Sequence, residues 1–261
     1  MGHSHSICVL GSEETDSYDW RACIYQKIDE SISNGHAVVY VGEGNETLTI
    51  QHFRKMGLAI EDHIQAGSLT IINKDIFYSP SVPSNVLLEQ WTKIFHHIER
   101  KAGKGAFKGI VCIGMPADSF FDSDLNMQRV VDYETLVAEK YDESFEAICL
   151  YAGDIIEKMS FKHIIGLVGT HQNTFHKDGQ LKPWNTQRGV AAIRRGLDIA
   201  LEENVAALVF SVLVRDFGMS EEALVLYPEH FEKKLEILLG SSAAEIVISR
   251  IKLELRKEIT S

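Results

Sequence analysis

Apolar positions along the chain follow two alternating patterns. Short continuous runs rich in Val, Ile, Leu, Cys and Tyr occupy 7–10, 37–41, 69–72, 109–113 and 147–151. Runs of this length suit strands of a parallel sheet that is covered on both faces. Between them, 18–33, 47–55, 85–101 and 126–140 carry apolar residues at helical spacing, and Asn34-Gly35 supplies a helix stop. Strand and helix in alternation predict a parallel α/β sheet.

The alternation ends after Tyr151. Two short helical patterns follow, 155–159 and 161–167, and then a polar stretch, 169–186, which reads as a loop or linker. Helices are expected over 189–203, 205–217, 229–239 and 243–259. Tyr227-Pro228-Glu229 is a helix start, and Leu239-Gly240-Ser241-Ser242 is a stop followed by a new cap. The expected organisation is an α/β domain over 1–178 and a small all-helical domain over 179–261. The 205–217 pattern is apolar on most sides, with Val205, Leu208, Val209, Phe210, Val212 and Leu213. Such a helix is expected at the centre of the second domain or in a dimer contact.

Composition adds compartment and partners. The 261 residues are 45% hydrophobic and 24% charged, as in soluble globular proteins. No apolar run approaches the roughly 20 residues that span a bilayer, and residues 1–6 lack the pattern of a secretory leader. Three of the four cysteines (Cys8, Cys112, Cys149) lie inside apolar runs and none forms a C-x-x-C pair, so reduced thiols in a cytoplasm are expected. The net charge of −11 is concentrated in residues 1–180, which hold 15 Lys/Arg against 25 Asp/Glu; residues 181–261 hold 11 against 12. So acidic a first part repels a nucleic-acid backbone, and direct binding by it is not expected.

Ligands in open α/β sheets bind at the carboxyl ends of strands. After the first strand stands Gly11-Ser12-Glu13-Glu14-Thr15-Asp16, with one glycine, no lysine and three acids. A phosphate-binding P-loop needs G-x-x-x-x-G-K-[ST], so ATP hydrolysis is not expected. Gly42-Glu43-Gly44-Asn45 reads as a tight turn, and no G-x-S-x-G nucleophile elbow is present. His3, His5 and Cys8, with His171 and His176, include metal-ligating types, but their spacing matches no standard zinc pattern; no metal and no cofactor is expected.

Four segments carry a family resemblance: His5-Ser6-Ile7-Cys8-Val9-Leu10; Gly35-His36 with the strand after it; Gly57-Leu58 with Gly67-Ser68-Leu69-Thr70-Ile71; and Asp132-Tyr133-Glu134, Cys149-Leu150-Tyr151 and Gly169-Thr170-His171 in series. In order and spacing they resemble the MEDS family, the methanogen/methylotroph sensory domain, itself similar to KaiC-type RecA-like ATPases. The resemblance implies a RecA-like, mostly parallel sheet without a P-loop, which binds a small organic ligand and signals through an attached module. Residues 181–261 show neither a helix-turn-helix nor a kinase signature.

The resulting expectation is a non-enzymatic, cytoplasmic small-molecule sensor in signal transduction or transcriptional control. It would signal to a protein partner or a second copy through its C-terminal helices, away from any membrane. A RecA-like nucleotide-binding protein with an atypical phosphate site is the first alternative, and an assembly scaffold is the second. His5, Cys8, Tyr133, Glu134, Tyr151 and His171 are expected to line one pocket at the strand ends. Glu134 would there either be protonated through desolvation or be paired with His5 or His171.

Overall fold

Seven strands form one sheet in the computed structural model, which describes residues 4–10, 20–42, 46–55, 57, 60–79, 81–140, 145–176 and 179–260. They are β1 (Ser4–Leu10), β2 (Ala37–Gly42), β3 (Leu69–Asn73), β4 (Ile110–Gly114), β5 (Phe145–Ala152), β6 (Asn173–Phe175) and β7 (Leu181–Pro183). The spatial order is β3-β2-β4-β5-β1-β6-β7. Every pairing is parallel except the β6–β7 hairpin. All five expected strands are present. β6 and β7 lie within the stretch that was expected to be a linker; at three residues each they are too short to show a period.

The helices are α1 (Trp20–Ser33), α2 (Glu46–Lys55), α3 (Glu61–Ala66), α4 (Lys74–Phe77), α5 (Ser84–Ala102), α6 (Asp124–Lys140), α7 (Gly153–Lys158), α8 (Phe161–Gly169), α9 (Thr186–Leu201), α10 (Glu203–Arg215), α11 (Ala223–Leu226), α12 (Pro228–Leu239) and α13 (Ser241–Thr260). Side chains alternate along each strand, so parity assigns them to faces. Ile7, Val9, Val39, Val41, Cys112 and Tyr151 join one buried cluster, covered by residues of α5, α6 and α8. Cys8, Leu10, Val38, Tyr40, Ile113 and Leu150 join another, covered by residues of α1, α2 and α3. In α6 the buried positions are Met127, Val130, Tyr133, Glu134 and Val137, a helical stripe in which one acid replaces a hydrophobe.

The C-terminal helices share the first face's core. Ile251, Leu255 and Ile259 of α13 belong to the same buried cluster as Ile7, Val9 and Tyr151. Burial in α9 follows Val190, Ile193 and Leu197, and Gly196 lies directly against the α13 backbone. The pair α9 and α13 therefore holds the centre that was expected of the 205–217 helix. α10 lies outside it and buries only Ala206, Val209 and Leu213, while Leu208 is 64% exposed. Apolar residues all round that helix exceed the one stripe its neighbours can cover.

Candidate functional site

His5 is the second residue of β1 and shares the face of Ile7. Across that face stands Glu134, in the middle of α6 and 1% exposed. His5 Nε2 lies 3.0 Å from Glu134 Oε2. The Cys149 thiol donates to the same oxygen at 3.3 Å, and its sulfur lies 3.4 Å from His5 Nε2. Tyr151 O–H donates to Glu134 Oε1 at 2.5 Å. His171 stacks on His5 with ring centroids 4.0 Å apart, and its Nε2 lies 3.8 Å from Glu134 Oε2. Five polar side chains from β1, α6, β5 and the segment after α8 thus meet inside the core.

Local structure fixes both rings. His5 Nδ1 lies 3.1 Å from the carbonyl of Thr170, and His171 Nδ1 lies 2.6 Å from the carbonyl of Leu167. A carbonyl only accepts, so each Nδ1 carries a proton and each Nε2 is the nitrogen turned toward Glu134. The His5–Glu134 contact therefore takes one further proton, shared across it.

The electrostatics follow from burial and from Glu134. Burial pushes the Glu134 carboxyl up, but the His5 hydrogen bond and charge, aided by Tyr151, hold it down at about 2. Burial, and then the charge of His5, lowers His171 to about 3, so its ring is neutral. Cys149 and Tyr151 are both pushed well above their ordinary values, first by burial and then by the charge of Glu134. Both remain protonated donors to the carboxylate.

Tyr133 borders the cluster rather than joining it. With Tyr78, Trp91, Cys112, Glu134 and Cys149 it lines a cavity of about 20 Å³. The indole N–H of Trp91 donates to its hydroxyl. A space of that size holds about one water molecule.

The structure brings His5, Glu134, Tyr151 and His171 together and sets Tyr133 beside them. Cys8 does not join. It lies three positions from His5 on one strand, so it points to the opposite face, where burial raises its thiol to about 12. The cluster also lies beneath the face of the sheet, reaching the amino end of β1, rather than at the carboxyl edge. Cys149 is the thiol on the right face, and its two-residue offset from Tyr151 carries that signal. His176 is engaged elsewhere, 2.6 Å from Thr174 Oγ1. His3 and the segments 11–16 and 43–45 lie outside the described residues.

The family model MEDS, described as the MEthanogen/methylotroph, DcmR Sensory domain, matches residues 7–172. The chain belongs to this family. The MEDS match spans Tyr133, Glu134, Cys149, Tyr151 and His171 and stops just before β6. No curated protein and no solved structure matches the chain. Within the MEDS domain and the strand that opens it, His5, Glu134, Cys149 and His171 each offer one metal-ligating atom, and these atoms all lie within 4.8 Å of one another. No helix among the described residues is long and apolar enough to cross a membrane.

Proposed function

We propose that this protein is a non-enzymatic sensor that takes a small organic molecule at the Glu134 cluster and passes its state to the C-terminal helices. The observation that carries the reading is a charged carboxylate, with two imidazoles, a thiol and a phenol, buried in the core of a sensory-family domain. A buried network of this kind is costly to leave half satisfied, so a polar group that enters it redistributes its hydrogen bonds. The adjoining cavity favours a ligand of very few heavy atoms.

α8 offers the relay. Its carboxyl end supplies the carbonyls that orient His5 and His171. At its other end Phe161 packs on Phe231 of α12, with centroids 5.6 Å apart, and Lys162 bonds Glu229 at 3.2 Å. A change at the cluster therefore has a short path to helices whose outer faces expose Leu208, Ile237 and Ile246 to a partner or a second copy.

The test is thermal denaturation against a panel of one- to four-carbon alcohols, amines, thiols and carboxylates. A ligand at a hundred times its dissociation constant stabilises by about 2.7 kcal/mol. Saturable stabilisation that is lost in Glu134→Gln is expected. A panel without effect, together with saturable binding of magnesium-ATP, would favour the nucleotide-binding alternative.

A further inference from the structure

Two contacts in the cluster set an acceptor against an acceptor. With its Nδ1 proton committed to Leu167 O, His171 presents the Nε2 lone pair to Glu134 Oε2 at 3.8 Å. That nitrogen is buried and has no hydrogen-bond partner. His5 Nε2 presents the same atom type to the same oxygen at 3.0 Å, with its Nδ1 likewise committed to a carbonyl. The Cys149 sulfur completes the group at 3.3 Å from Glu134 Oε2 and 3.4 Å from His5 Nε2. A shared proton satisfies one of these contacts and leaves His171 without a partner.

Four of the six donor separations lie close to those of a coordination tetrahedron. With metal–nitrogen or metal–oxygen bonds of about 2.0–2.1 Å and a metal–sulfur bond of about 2.3 Å, neighbouring donors lie about 3.3–3.6 Å apart. The four distances quoted run from 3.0 to 3.8 Å. The supporting contacts are those of a metal site: each ring is held through Nδ1 by a carbonyl, and Tyr151 holds Oε1, which leaves Oε2 to ligate.

We propose that His5 Nε2, Glu134 Oε2, Cys149 Sγ and His171 Nε2 form a four-coordinate site for a divalent transition metal of the zinc class. Imidazole and thiolate select such a metal over calcium or magnesium. On binding, the Cys149 thiol proton and the proton shared by His5 and Glu134 leave to solvent. One carboxylate and one thiolate then balance the dication, so no net charge is buried. The site joins β1, α6, β5 and the segment after α8, and with all four positions taken by protein it is of the structural kind. This assignment stands independently of which organic molecule the cluster senses.

Native mass spectrometry of the whole chain, purified from cells grown with added zinc or with added cobalt, tests it. One retained metal ion per chain is expected. The cobalt form should show the intense visible bands of tetrahedral cobalt and a thiolate-to-cobalt charge-transfer band. Cys149→Ser should abolish the charge-transfer band, and Cys149→Ser and His171→Ala should each weaken retention on the order of a hundredfold. Cys8→Ser should change neither. A metal-free mass under both growth conditions overturns the proposal even if no variant folds, and so does an undiminished charge-transfer band in Cys149→Ser.

Discussion

Gly196 of α9 lies so close to Ile251 of α13 that a β-carbon at 196 would stand 2.6 Å from the Ile251 Cα and 2.9 Å from its backbone nitrogen. Backbone cannot step aside as a flexible side chain can. Gly196→Ala therefore forces the two central C-terminal helices apart. The overpacking should cost about 1–3 kcal/mol, more than the roughly 1 kcal/mol that alanine gains in helix propensity. A urea titration reads the difference, and a variant as stable as its parent would contradict the close approach.

Removing the centre of the buried network should cost more. Glu134→Ala leaves the His5–Glu134 pair broken and the Tyr151 hydroxyl and Cys149 thiol without their acceptor. Breaking a buried pair from one side typically costs about 3–5 kcal/mol. Chemical denaturation should show a loss of that order. A loss below about 1 kcal/mol would mean that the carboxylate is not the hub.

The two thiols should separate cleanly. Cys8→Ala trims the far face and should cost about 1 kcal/mol, an ordinary core loss. It should leave the His5 and His171 ring resonances in place, whereas Cys149→Ala should displace both. Movement of the histidine signals in Cys8→Ala would put the thiol on the wrong face.

Acid should weaken the tie between α9 and α13. Arg188 Nε bonds Glu258 Oε1 at 2.8 Å, and an Nη of Arg188 bonds the Glu258 carbonyl at 2.6 Å. Burial pushes the Glu258 carboxyl up, but hydrogen bonds from Arg188 and Arg195 outweigh it and hold it below the ordinary 4.5. A depressed carboxyl stabilises the fold fully above 4.5, and that stabilisation is lost as pH falls through the folded-state value. Glu258→Gln should thus be less stable than the parent at neutral pH, and the gap should close below pH 4.5. A gap that is constant from neutral to strongly acidic pH would exclude a charge-based tie.

Much of the sheet was legible because its strands are buried on both faces and read as unbroken apolar runs. β6 and β7 were not, since three residues offer no period and β7 is a largely exposed outer strand. The site was legible as far as residue type. Tyr133-Glu134, Tyr151 and His171 stand out in series; the structure gathers Glu134, Tyr151 and His171 around His5 and sets Tyr133 beside them. Strand parity alone separates Cys8 from His5 and joins Cys149 to Tyr151; spacing along the chain is no substitute for it. The cavity partners Tyr78 and Trp91 come from the chain after β3 and from α5, and nothing local announces that they meet Tyr133. Of the two places expected for the 205–217 helix, the centre of the C-terminal helices is not the one it takes, for a related reason. Average hydrophobicity singled out α10, but the close helix contact depends on a glycine, which carries no hydrophobic signal.

β1 lies between β5 and β6, so its neighbours in the sheet come from residues 145–175. His5 stands 129 positions from Glu134 and 165 from Thr170, whose carbonyl sets its ring. On the ribosome the first strand must therefore wait, unpaired, until β5 has emerged. Contacts of such long range slow folding. An unpaired apolar strand is a hazard for as long as it waits. The cluster therefore cannot form before residue 171 has been made, long after its first member, His5.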